Sequence, residues 1–385
     1  MNIKLMNKIA KVGTDRFGKE FNVGEGVEAP VAMMVRSASL HDMEFNPELL
    51  AIARAGAGVN NIPLDKCAEE GIVVFNTPGA NANGVKELCI AALILASRDV
   101  VGGVEWAKTL KGTPDVAKQV EKGKSAYAGC ELLGKTLGVI GLGAIGGLVA
   151  NAARSLGMNV VGCDPYITVN AAWSLSRSIE HADNYDQIYA KADYITLHVP
   201  STKTTKGMIN RETIAKMKDG VRIVNLARAD LVDADAMREA LESGKVAAYV
   251  TDFPIEETLG MKNTVNIPHL GASTAESEDN CAVMAADELS DFLRTGNIKN
   301  SVNYPAVSLP DIGAKRICIC HKNVQNMLTR LTAFVSNEGI NIENMTNGSR
   351  GDYAYTILEM IVDFPDSIVE KMEALDGVIR VRTIK

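Results

Sequence analysis

The feature that most constrains the fold of this chain is a glycine turn set between two apolar runs. Gly141-Leu142-Gly143-Ala144-Ile145-Gly146 directly follows the run 137–140, and a second run, 159–163, ends at Asp164. Strand, glycine turn, helix, strand and acid in this order are typical of a βαβ unit that binds a dinucleotide. The first glycine permits a tight turn, the second admits a pyrophosphate close to the backbone, and the third lets helix and strand pack together. A glycine turn alone is weak evidence, so the prediction rests on the complete unit.

The acid at the end of the second run predicts which dinucleotide binds. The carboxylate of Asp164 can accept hydrogen bonds from both ribose hydroxyls and would repel a 2′-phosphate. The residues that follow it, Pro165, Tyr166 and Ile167, provide no arginine to hold such a phosphate. We therefore expect NAD rather than NADP as the cofactor.

Composition narrows the function classes. A chain of 385 residues has room for about two or three domains. The net charge of −7 argues against a nucleic-acid partner, which favours a basic surface. The seven cysteines form no metal-type CxxC pair, so no metal is expected, and without a secretory leader they predict reduced thiols in the cytoplasm. The most apolar stretch, 88–96, is too short to span a membrane.

Apolar runs that alternate with helical segments predict an α/β fold with two doubly wound parallel-sheet domains. The expected domains are a flavodoxin-like substrate domain (1–95 and 285–304), a Rossmann-type NAD domain (96–284) and a C-terminal module (312–385). The module has the βαββαβ order of a ferredoxin-like fold. Elsewhere the spacing of apolar residues predicts a helix over 47–53, one long helix over 85–110 and a polar connector over 111–130.

Three groups of polar residues come at or just beyond predicted strand ends, where doubly wound sheets bind ligands. They are Arg228, the pair Glu256-Glu257, and His269. A histidine suits removal of a hydroxyl proton because its pKa lies near neutrality, and a carboxylate on its far nitrogen would orient the ring. An arginine fork would bind a substrate carboxylate through two hydrogen bonds. These residue types predict oxidation of a 2-hydroxy acid.

Several segments resemble the D-isomer-specific 2-hydroxyacid dehydrogenases. They are 35–38, 54–61, 76–81, the glycine turn, 198–200, 225–233 and 268–274. The resemblance spans nearly the whole chain and implies that the family's catalytic arginine, glutamate and histidine are Arg228, Glu257 and His269. In the family a proline follows the glutamate, whereas Thr258 stands here. Spacing favours Glu257, and Glu256 is the alternative.

A second departure follows the catalytic arginine, where Ala229 and Asp230 replace two glycines of the family. A carboxylate that pointed inward would weaken anion binding, so we expect Asp230 to face the solvent. His198 is the rival base, because it ends a predicted strand. The resemblance gives it a cofactor contact instead, and His41 and His181 are expected to be solvated.

The resemblance also implies binding residues. Those expected at the substrate are Arg36, Ser37, Arg54, Ala55, Gly56, Ala57 and Gly58. Those expected at the cofactor are Thr77, Gly141, Gly143, Ala144, Ile145, Gly146, Asp164, His198, Val199, Pro200, Thr205, Leu226, Ala227, Asp252, Gly271 and Ala272. The two arginines support a phosphorylated substrate, although an arginine on the surface is also common.

The C-terminal module resembles the ACT regulatory domain. His321, Asn323 and Asn341 match positions where related domains bind serine. The family's Pro-Gly before the helix is Gln325-Asn326 here, which opposes serine binding because glycine permits close backbone approach. Asparagine tolerates the left-handed conformation, so we expect the turn itself to persist. The alternative is a module used only for contacts between subunits.

The resemblance implies the overall activity as well. It implies NAD-dependent oxidation of 3-phospho-D-glycerate to 3-phosphohydroxypyruvate, the first step of serine biosynthesis. The partners would be this small-molecule substrate and possibly an L-serine effector, in a homodimer or homotetramer with no nucleic-acid or membrane partner. The alternatives are a hydroxypyruvate or glyoxylate reductase on the same fold, and a non-enzymatic NAD-sensing protein similar to transcriptional corepressors.

Overall fold

Three β-sheets organise the described part of the chain, which comprises residues 1–310, 313–365 and 367–384 of a computed structural model. Contacts divide the chain into two compact units, Met1–Asn81 with Glu278–Lys385, and Ala82–Ser277. The predicted α/β class is confirmed, with two parallel sheets and a smaller antiparallel one. The predicted domain boundaries stay predictions, and residues 312 and 385, the ends of the expected terminal module, lie outside the described residues.

The sheet of the first unit has five parallel strands in the order β2-β1-β3-β4-β5, which is the flavodoxin-like order. The strands are β1 (Asn2–Leu5), β2 (Asn22–Gly24), β3 (Ala32–Val35), β4 (Ala51–Arg54) and β5 (Val73–Phe75). Strand β3 is buried throughout, as is typical of a parallel sheet covered on both faces. The chain order reverses between β1 and β3, so the ends of these strands form the expected ligand crevice.

The sheet of the second unit has seven parallel strands in the order β12-β11-β10-β9-β6-β7-β8, which extends the Rossmann order by one strand. The strands are β6 (Thr136–Ile140), β7 (Asn159–Cys163), β8 (Glu180–His181), β9 (Tyr194–Leu197), β10 (Val221–Asn225), β11 (Val246–Thr251) and β12 (Thr264–Asn266). Here the order reverses between β6 and β9, so the glycine turn after β6 lies at the switch point.

The antiparallel sheet belongs to the first unit and has the order β14-β15-β13-β16. Its strands are β13 (Lys315–Lys322), β14 (Asn344–Arg350), β15 (Tyr353–Met360) and β16 (Val378–Ile384). One set of buried residues, which includes Ile317 and Leu331, forms a core of the module itself. Cys318 and Tyr355 instead share a core with Phe75 and Leu289 of the same unit. The module is therefore packed against the first sheet's core and is not a separate appendage.

Fourteen α-helices complete the described fold. They are α1 (Lys11–Thr14), α2 (Leu64–Glu69), α3 (Ala82–Ser97), α4 (Val100–Thr109), α5 (Val116–Gly123), α6 (Ala144–Ser155), α7 (Val169–Trp173), α8 (Tyr185–Lys191), α9 (Arg211–Ala215), α10 (Ala234–Ser243), α11 (Glu256–Leu259), α12 (Ala275–Thr295), α13 (Met327–Asn337) and α14 (Ser367–Glu373). None of those in the described ranges combines the length and apolar composition that a membrane span requires.

Three predictions of local structure are wrong. The helix expected over 47–53 is a turn followed by β4, because a short, fully buried run reads alike as strand or helix. The long helix expected over 85–110 breaks after Ser97, where the Asp99 carboxylate caps α4 by accepting a hydrogen bond from the Gly102 N–H. The polar connector 111–130 contains α5 and a 3-10 turn, Lys124–Tyr127.

Candidate active site

The glycine turn between β6 and α6 has the geometry that its sequence predicts. Gly141 has a φ of +89°, and a Cβ placed on it would lie 2.5 Å from the His198 carbonyl oxygen. A Cβ on Gly146 would lie 1.9 Å from the Gly141 carbonyl oxygen. A Cβ on Gly143 would meet nothing within 4 Å. The first and third glycines are thus required by packing, whereas the second faces open space at a helix N-terminus, which favours an anion.

Asp164 is tied directly to this turn. Its carboxylate accepts hydrogen bonds from the Leu142 and Tyr166 N–H groups, both at 2.9 Å. A cavity of about 590 Å³ adjoins it and is lined mainly by apolar side chains, among them Leu142, Ile167 and Trp173. Arg177 also lines this cavity, which the residues immediately after Asp164 did not suggest. The turn and the acid together fit a dinucleotide, and Arg177 makes NADP a necessary control.

The aromatic ring of Phe253 contacts two of the three predicted catalytic side chains. The ring centroids of Phe253 and His269 are 4.5 Å apart, and the Arg228 guanidinium carbon is 5.7 Å from the Phe253 ring centroid. Both Arg228 and His269 are exposed, so a ligand can reach them. This role of Phe253 was not predictable, because nothing in the sequence around it differs from an ordinary segment after a strand. Phe253 therefore connects the guanidinium to the imidazole.

The buried Asn225 at the end of β10 fixes the backbone before Arg228. Its side-chain oxygen accepts hydrogen bonds from the Ala227 and Arg228 N–H groups, and its amide donates to the Arg228 carbonyl oxygen at 2.8 Å. The Arg228 guanidinium also donates to the Ala227 carbonyl oxygen at 2.6 Å. Asp230, as expected, is exposed, and it accepts a hydrogen bond from the Ser201 hydroxyl at 2.6 Å.

Asp252 fixes the backbone of the loop that carries His269. It is only 1% exposed, and its carboxylate accepts a hydrogen bond from the Gly271 N–H at 3.2 Å. Burial raises the pKa of this carboxyl, while the nearby charges of His269 and Arg228 lower it. Its second oxygen has no hydrogen-bond partner among the described residues. The charges of two predicted catalytic residues, His269 and Arg228, thus favour the ionised form of Asp252.

The predicted glutamate is placed differently. Glu256 and Glu257 form the exposed first turn of α11, and no hydrogen bond joins either of them to His269 within the described chain. Thr258, which replaces the family's proline, is buried and hydrogen-bonds the backbone of Ile255 through its hydroxyl. The choice between Glu257 and Glu256 stays a prediction.

His198 lies beside the glycine turn. Its ring Nε2 is 3.0 Å from the Thr196 hydroxyl. Its backbone N–H donates to the Ile140 carbonyl oxygen at 2.8 Å. Burial lowers the pKa of His198 to about 4, so the ring is neutral at physiological pH. A group with so low a pKa holds an accepted proton poorly, which disfavours His198 as the base and supports packing beside the turn. His41 and His181 are exposed, as predicted. Two other predicted cofactor residues contact each other, since the Thr205 hydroxyl donates to the Pro200 carbonyl oxygen at 2.6 Å.

The predicted substrate arginines occupy adjacent strand ends in the first unit. Val35 of β3 pairs with Arg54 of β4, and the Arg54 Nε donates to the Arg36 carbonyl oxygen at 3.1 Å. A Cβ on Gly56 would lie 2.2 Å from the Arg54 guanidinium, so this glycine leaves room for it. Thr77 is fully buried behind this loop, and its N–H donates to the Gly56 carbonyl oxygen at 3.1 Å. Arg36, Arg54 and Gly56 therefore form one basic edge.

Two partners of Arg36 were missed in the sequence. Asn7, just after β1, accepts hydrogen bonds through its side-chain oxygen from the N–H groups of Arg36, Ser37 and Ala38, at 3.2, 3.2 and 3.0 Å. Glu278 of α12 forms a salt bridge with the Arg36 guanidinium at 2.6 Å. The signal for Asn7 was its place at the switch point of the first sheet; Glu278 is remote in sequence and gave none.

Two of the three residues predicted to bind an effector in the terminal module already have internal hydrogen-bond partners. Both ring nitrogens of the buried His321 lie 2.9 Å from internal partners, the Lys322 carbonyl oxygen and the Thr356 hydroxyl. The Asn323 amide donates to the Gly351 carbonyl oxygen at 3.0 Å, whereas Asn341 is exposed. Asn326 has a φ of +61°, so the expected left-handed turn does persist without glycine. In the described residues no cluster of three or more acidic, histidine or cysteine side chains is arranged to hold a metal ion.

Comparison with known proteins identifies the family of this site. Residues 104–271 match the family described as D-isomer specific 2-hydroxyacid dehydrogenase, NAD binding domain. The D-3-phosphoglycerate dehydrogenase of Haemophilus influenzae is 30% identical over 357 residues, which cover 89% of this chain and 83% of that protein. The hydroxypyruvate reductase of Thermotoga maritima is 39% identical over 269 residues, covering 67% of this chain and 83% of that protein.

A solved structure gives the same result. The 3-phosphoglycerate dehydrogenase of Entamoeba histolytica with bound NAD⁺ superposes with a TM-score of 0.61 and 28% identity, covering 79% of this chain and 98% of that chain. Several other curated D-3-phosphoglycerate dehydrogenases are longer, and this chain spans little more than half of their length.

Proposed function

The chain belongs to the D-isomer-specific 2-hydroxyacid dehydrogenase family, and from this we propose that it is an NAD-dependent dehydrogenase of 3-phosphoglycerate. The observation that carries the proposal is the arrangement of Arg228, Phe253 and His269 in the unit that holds the dinucleotide turn. The product would be 3-phosphohydroxypyruvate, the first committed compound of serine biosynthesis.

The roles of the catalytic residues follow from their chemistry. His269 takes the proton of the substrate hydroxyl, and Arg228 holds the substrate carboxylate through its guanidinium fork. Glu257, or Glu256 in its place, would stabilise the protonated imidazole once the α11 turn brings it near. When bound, NAD would accept the hydride from the substrate carbon that carries the hydroxyl group. In the reverse direction the protonated His269 returns its proton to the carbonyl oxygen.

The glycine turn and Asp164 are the residues that would hold NAD. The space beside Gly143 suits a pyrophosphate, and the carboxylate of Asp164 suits the ribose hydroxyls. The backbone of Gly271 and Ala272 and the segment of His198, Val199 and Pro200 are further proposed contacts. The preference for NAD over NADP depends on Asp164 repelling a 2′-phosphate.

The phosphate of the substrate is assigned to the basic edge of the first unit. Arg36 and Arg54 supply two positive charges for the phosphate, with Ser37 beside them. The backbone of 55–58 is the proposed contact of the substrate carboxylate. The carbonyl of Ala57 accepts a hydrogen bond from Asn76 at 2.6 Å, which fixes this loop. A phosphorylated substrate therefore gains more from this edge than an unphosphorylated one.

Hydroxypyruvate reduction is the second candidate, because the reductase of Thermotoga maritima is 39% identical, compared with 30% for the dehydrogenase of Haemophilus influenzae. The match to the Haemophilus influenzae dehydrogenase nevertheless favours 3-phosphoglycerate oxidation, because it covers 89% of this chain and so extends into the terminal module.

The direct experiment is a turnover panel with 3-phosphoglycerate, 3-phosphohydroxypyruvate, hydroxypyruvate and glyoxylate, each with the NAD and the NADP couple. We expect the largest kcat/KM for the phosphorylated pair with NAD. A larger kcat/KM for hydroxypyruvate would establish the second candidate. An Arg54→Ala variant should raise KM for the phosphorylated substrate more than for hydroxypyruvate, and an equal effect would reject the phosphate role.

The remaining elements of the proposal concern assembly and regulation. A homodimer or homotetramer is the expected state, and L-serine is the candidate effector of the terminal module. The seven cysteines are free in the structure, which supports a reducing compartment such as the cytoplasm. Calorimetric titration with L-serine tests the effector, and the internal bonds of His321 predict weak binding or none.

A further inference from the structure

We propose that Glu278 lowers the affinity of the first unit for anionic substrates by competing for Arg36. The inference rests on the proposed function, because it takes Arg36 as a ligand of the substrate anion. In addition, it assigns to Glu278 an effect on substrate affinity that is exerted through Arg36. Glu278 is therefore neither a catalytic residue nor a substrate ligand.

The competing contact is a direct salt bridge. The Glu278 Oε1 lies 2.6 Å from the Arg36 Nη2, and the two side chains are 42% and 43% exposed. Exposed ion pairs are weak and exchange readily with ions from solution. A substrate phosphate can therefore displace Glu278 from Arg36. Because the salt bridge must be broken first, the net free energy of phosphate binding is less favourable.

The backbone of Arg36 is fixed independently of this salt bridge. The Asn7 side-chain oxygen accepts the hydrogen bond of the Arg36 N–H at 3.2 Å, and the Arg54 Nε donates to the Arg36 carbonyl oxygen at 3.1 Å. Removal of the Glu278 charge therefore frees the guanidinium without releasing the loop that carries it. This separation of backbone and side-chain contacts is what makes competition, and not support, the expected role.

The charges around the pair form one cluster. Burial raises the pKa of the Cys281 thiol, the charges of Arg54 and Arg36 lower it, and the charge of Glu278 raises it. All three charges thus act on a single thiol one turn along α12. A phosphate bound by the arginines would also be repelled by Glu278, because like charges at short range are unfavourable.

The rival reading makes Glu278 a support that orients Arg36 toward the substrate, and it predicts the opposite sign. If Glu278 competes, Glu278→Gln lowers KM for the phosphorylated substrate. If Glu278 orients the arginine, the same variant raises KM. The direction of the change therefore separates the two roles.

The test compares Glu278→Gln with Asp279→Asn, which removes the same charge from the next residue of α12. Asp279 is exposed and forms no salt bridge with any described residue. For Glu278→Gln we expect KM for 3-phosphoglycerate to fall by about two- to five-fold, with kcat nearly constant. The inhibition constant of inorganic phosphate as a competitive inhibitor should fall to a similar extent, and Asp279→Asn should change neither value. An unchanged or raised KM in Glu278→Gln, or an equal fall in both variants, would overturn the proposal.

Failure of the proposed function is distinguishable from failure of this inference. If the wild-type protein turned over none of the 2-hydroxy or 2-oxo acids, the function would be wrong. Binding of inorganic phosphate and of 3-phosphoglycerate, measured by calorimetry on the three proteins, would still report whether Glu278 competes. Tighter binding by Glu278→Gln alone supports the inference, and equal binding by all three rejects it.

Discussion

The rings of Phe253 and His269 lie 4.5 Å apart between centroids and are tilted by 44°. The same Phe253 ring has the Arg228 guanidinium carbon 5.7 Å from its centroid. One aromatic side chain therefore limits the motion of both the proposed base and the proposed carboxylate ligand. This contact couples two strand ends, after β10 and after β11, that are adjacent in the sheet.

Replacement of Phe253 should impair catalysis although the side chain has no reactive group. We expect Phe253→Leu to lower kcat roughly tenfold, because a small loss of alignment at reacting groups is costly. Phe253→Tyr keeps the ring and should stay near the wild-type rate. Steady-state kinetics and thermal unfolding on both variants provide the measurement. A Leu variant as fast as the Tyr variant would remove the alignment role.

The terminal module should depend on one buried ion pair. Arg316 is 2% exposed and Glu359 is 1% exposed; their side chains are hydrogen-bonded at 2.8 Å, and Arg316 also donates to the Thr295 carbonyl oxygen at 2.6 Å. Arg316→Met removes the only charged partner of the buried Glu359 carboxylate among the described residues and leaves it the Asn344 amide alone, so we expect a loss of about 3–5 kcal/mol in the free energy of unfolding.

The matched control for Arg316 is an exposed pair. Arg211 and Glu239 form a salt bridge at 2.6 Å with both side chains about 60% exposed. Arg211→Met should cost about 1 kcal/mol or less, because solvent screens this pair. Chemical denaturation of both variants gives the comparison. Similar losses would show that the Arg316 pair does not stabilise the module more than a surface pair does.

A buried glutamate should make stability depend on pH. Glu288 is 7% exposed, one carboxylate oxygen accepts a hydrogen bond from Asn300 at 2.5 Å, and the other has no partner among the described residues. Burial raises the pKa of Glu288 to about 7, above its ordinary value of 4.5. The folded state therefore keeps a proton that the unfolded state loses, and stability falls as the pH rises from about 4.5 to 7.

The corresponding variant is Glu288→Gln, which cannot ionise. The wild-type free energy of unfolding should fall by about 2–3 kcal/mol between these pH values through Glu288 ionisation, and the variant should lack this fall. The variant should therefore exceed wild type in the free energy of unfolding by more at pH near 8 than near 5. Asp279→Asn on the same helix is the control and should keep the wild-type pH dependence. Denaturation at a series of pH values would contradict this account if Glu288→Gln and wild type ran parallel.

The dinucleotide site was predictable because its determinants are local. The spacing of Gly141, Gly143 and Gly146 specifies turn, approach and packing, and the steric consequences of a Cβ at each position agree with those roles. The parallel pairing in both larger sheets was also predictable from the alternation of strands and helices, since parallel strands require crossover connections.

The contacts that complete the site were not predictable, because they join residues distant in sequence. Nothing near Phe253 indicates that it lies beside His269, and nothing near Glu278 indicates Arg36. The helix expected over 47–53 was wrong for a similar reason, since burial of β4 between two other strands overrides its local pattern. The expected Glu257 contact depends on a turn, α11, that begins with both glutamates exposed.

The measurement that tests the central claim most directly is turnover by His269→Asn beside wild type, with NADH affinity measured by fluorescence titration on both. We predict that kcat falls by about 10²–10⁴-fold, because the base is lost, while NADH affinity stays within about threefold. A His269→Asn variant that retained turnover near the wild-type rate would contradict the assignment of the imidazole as the base.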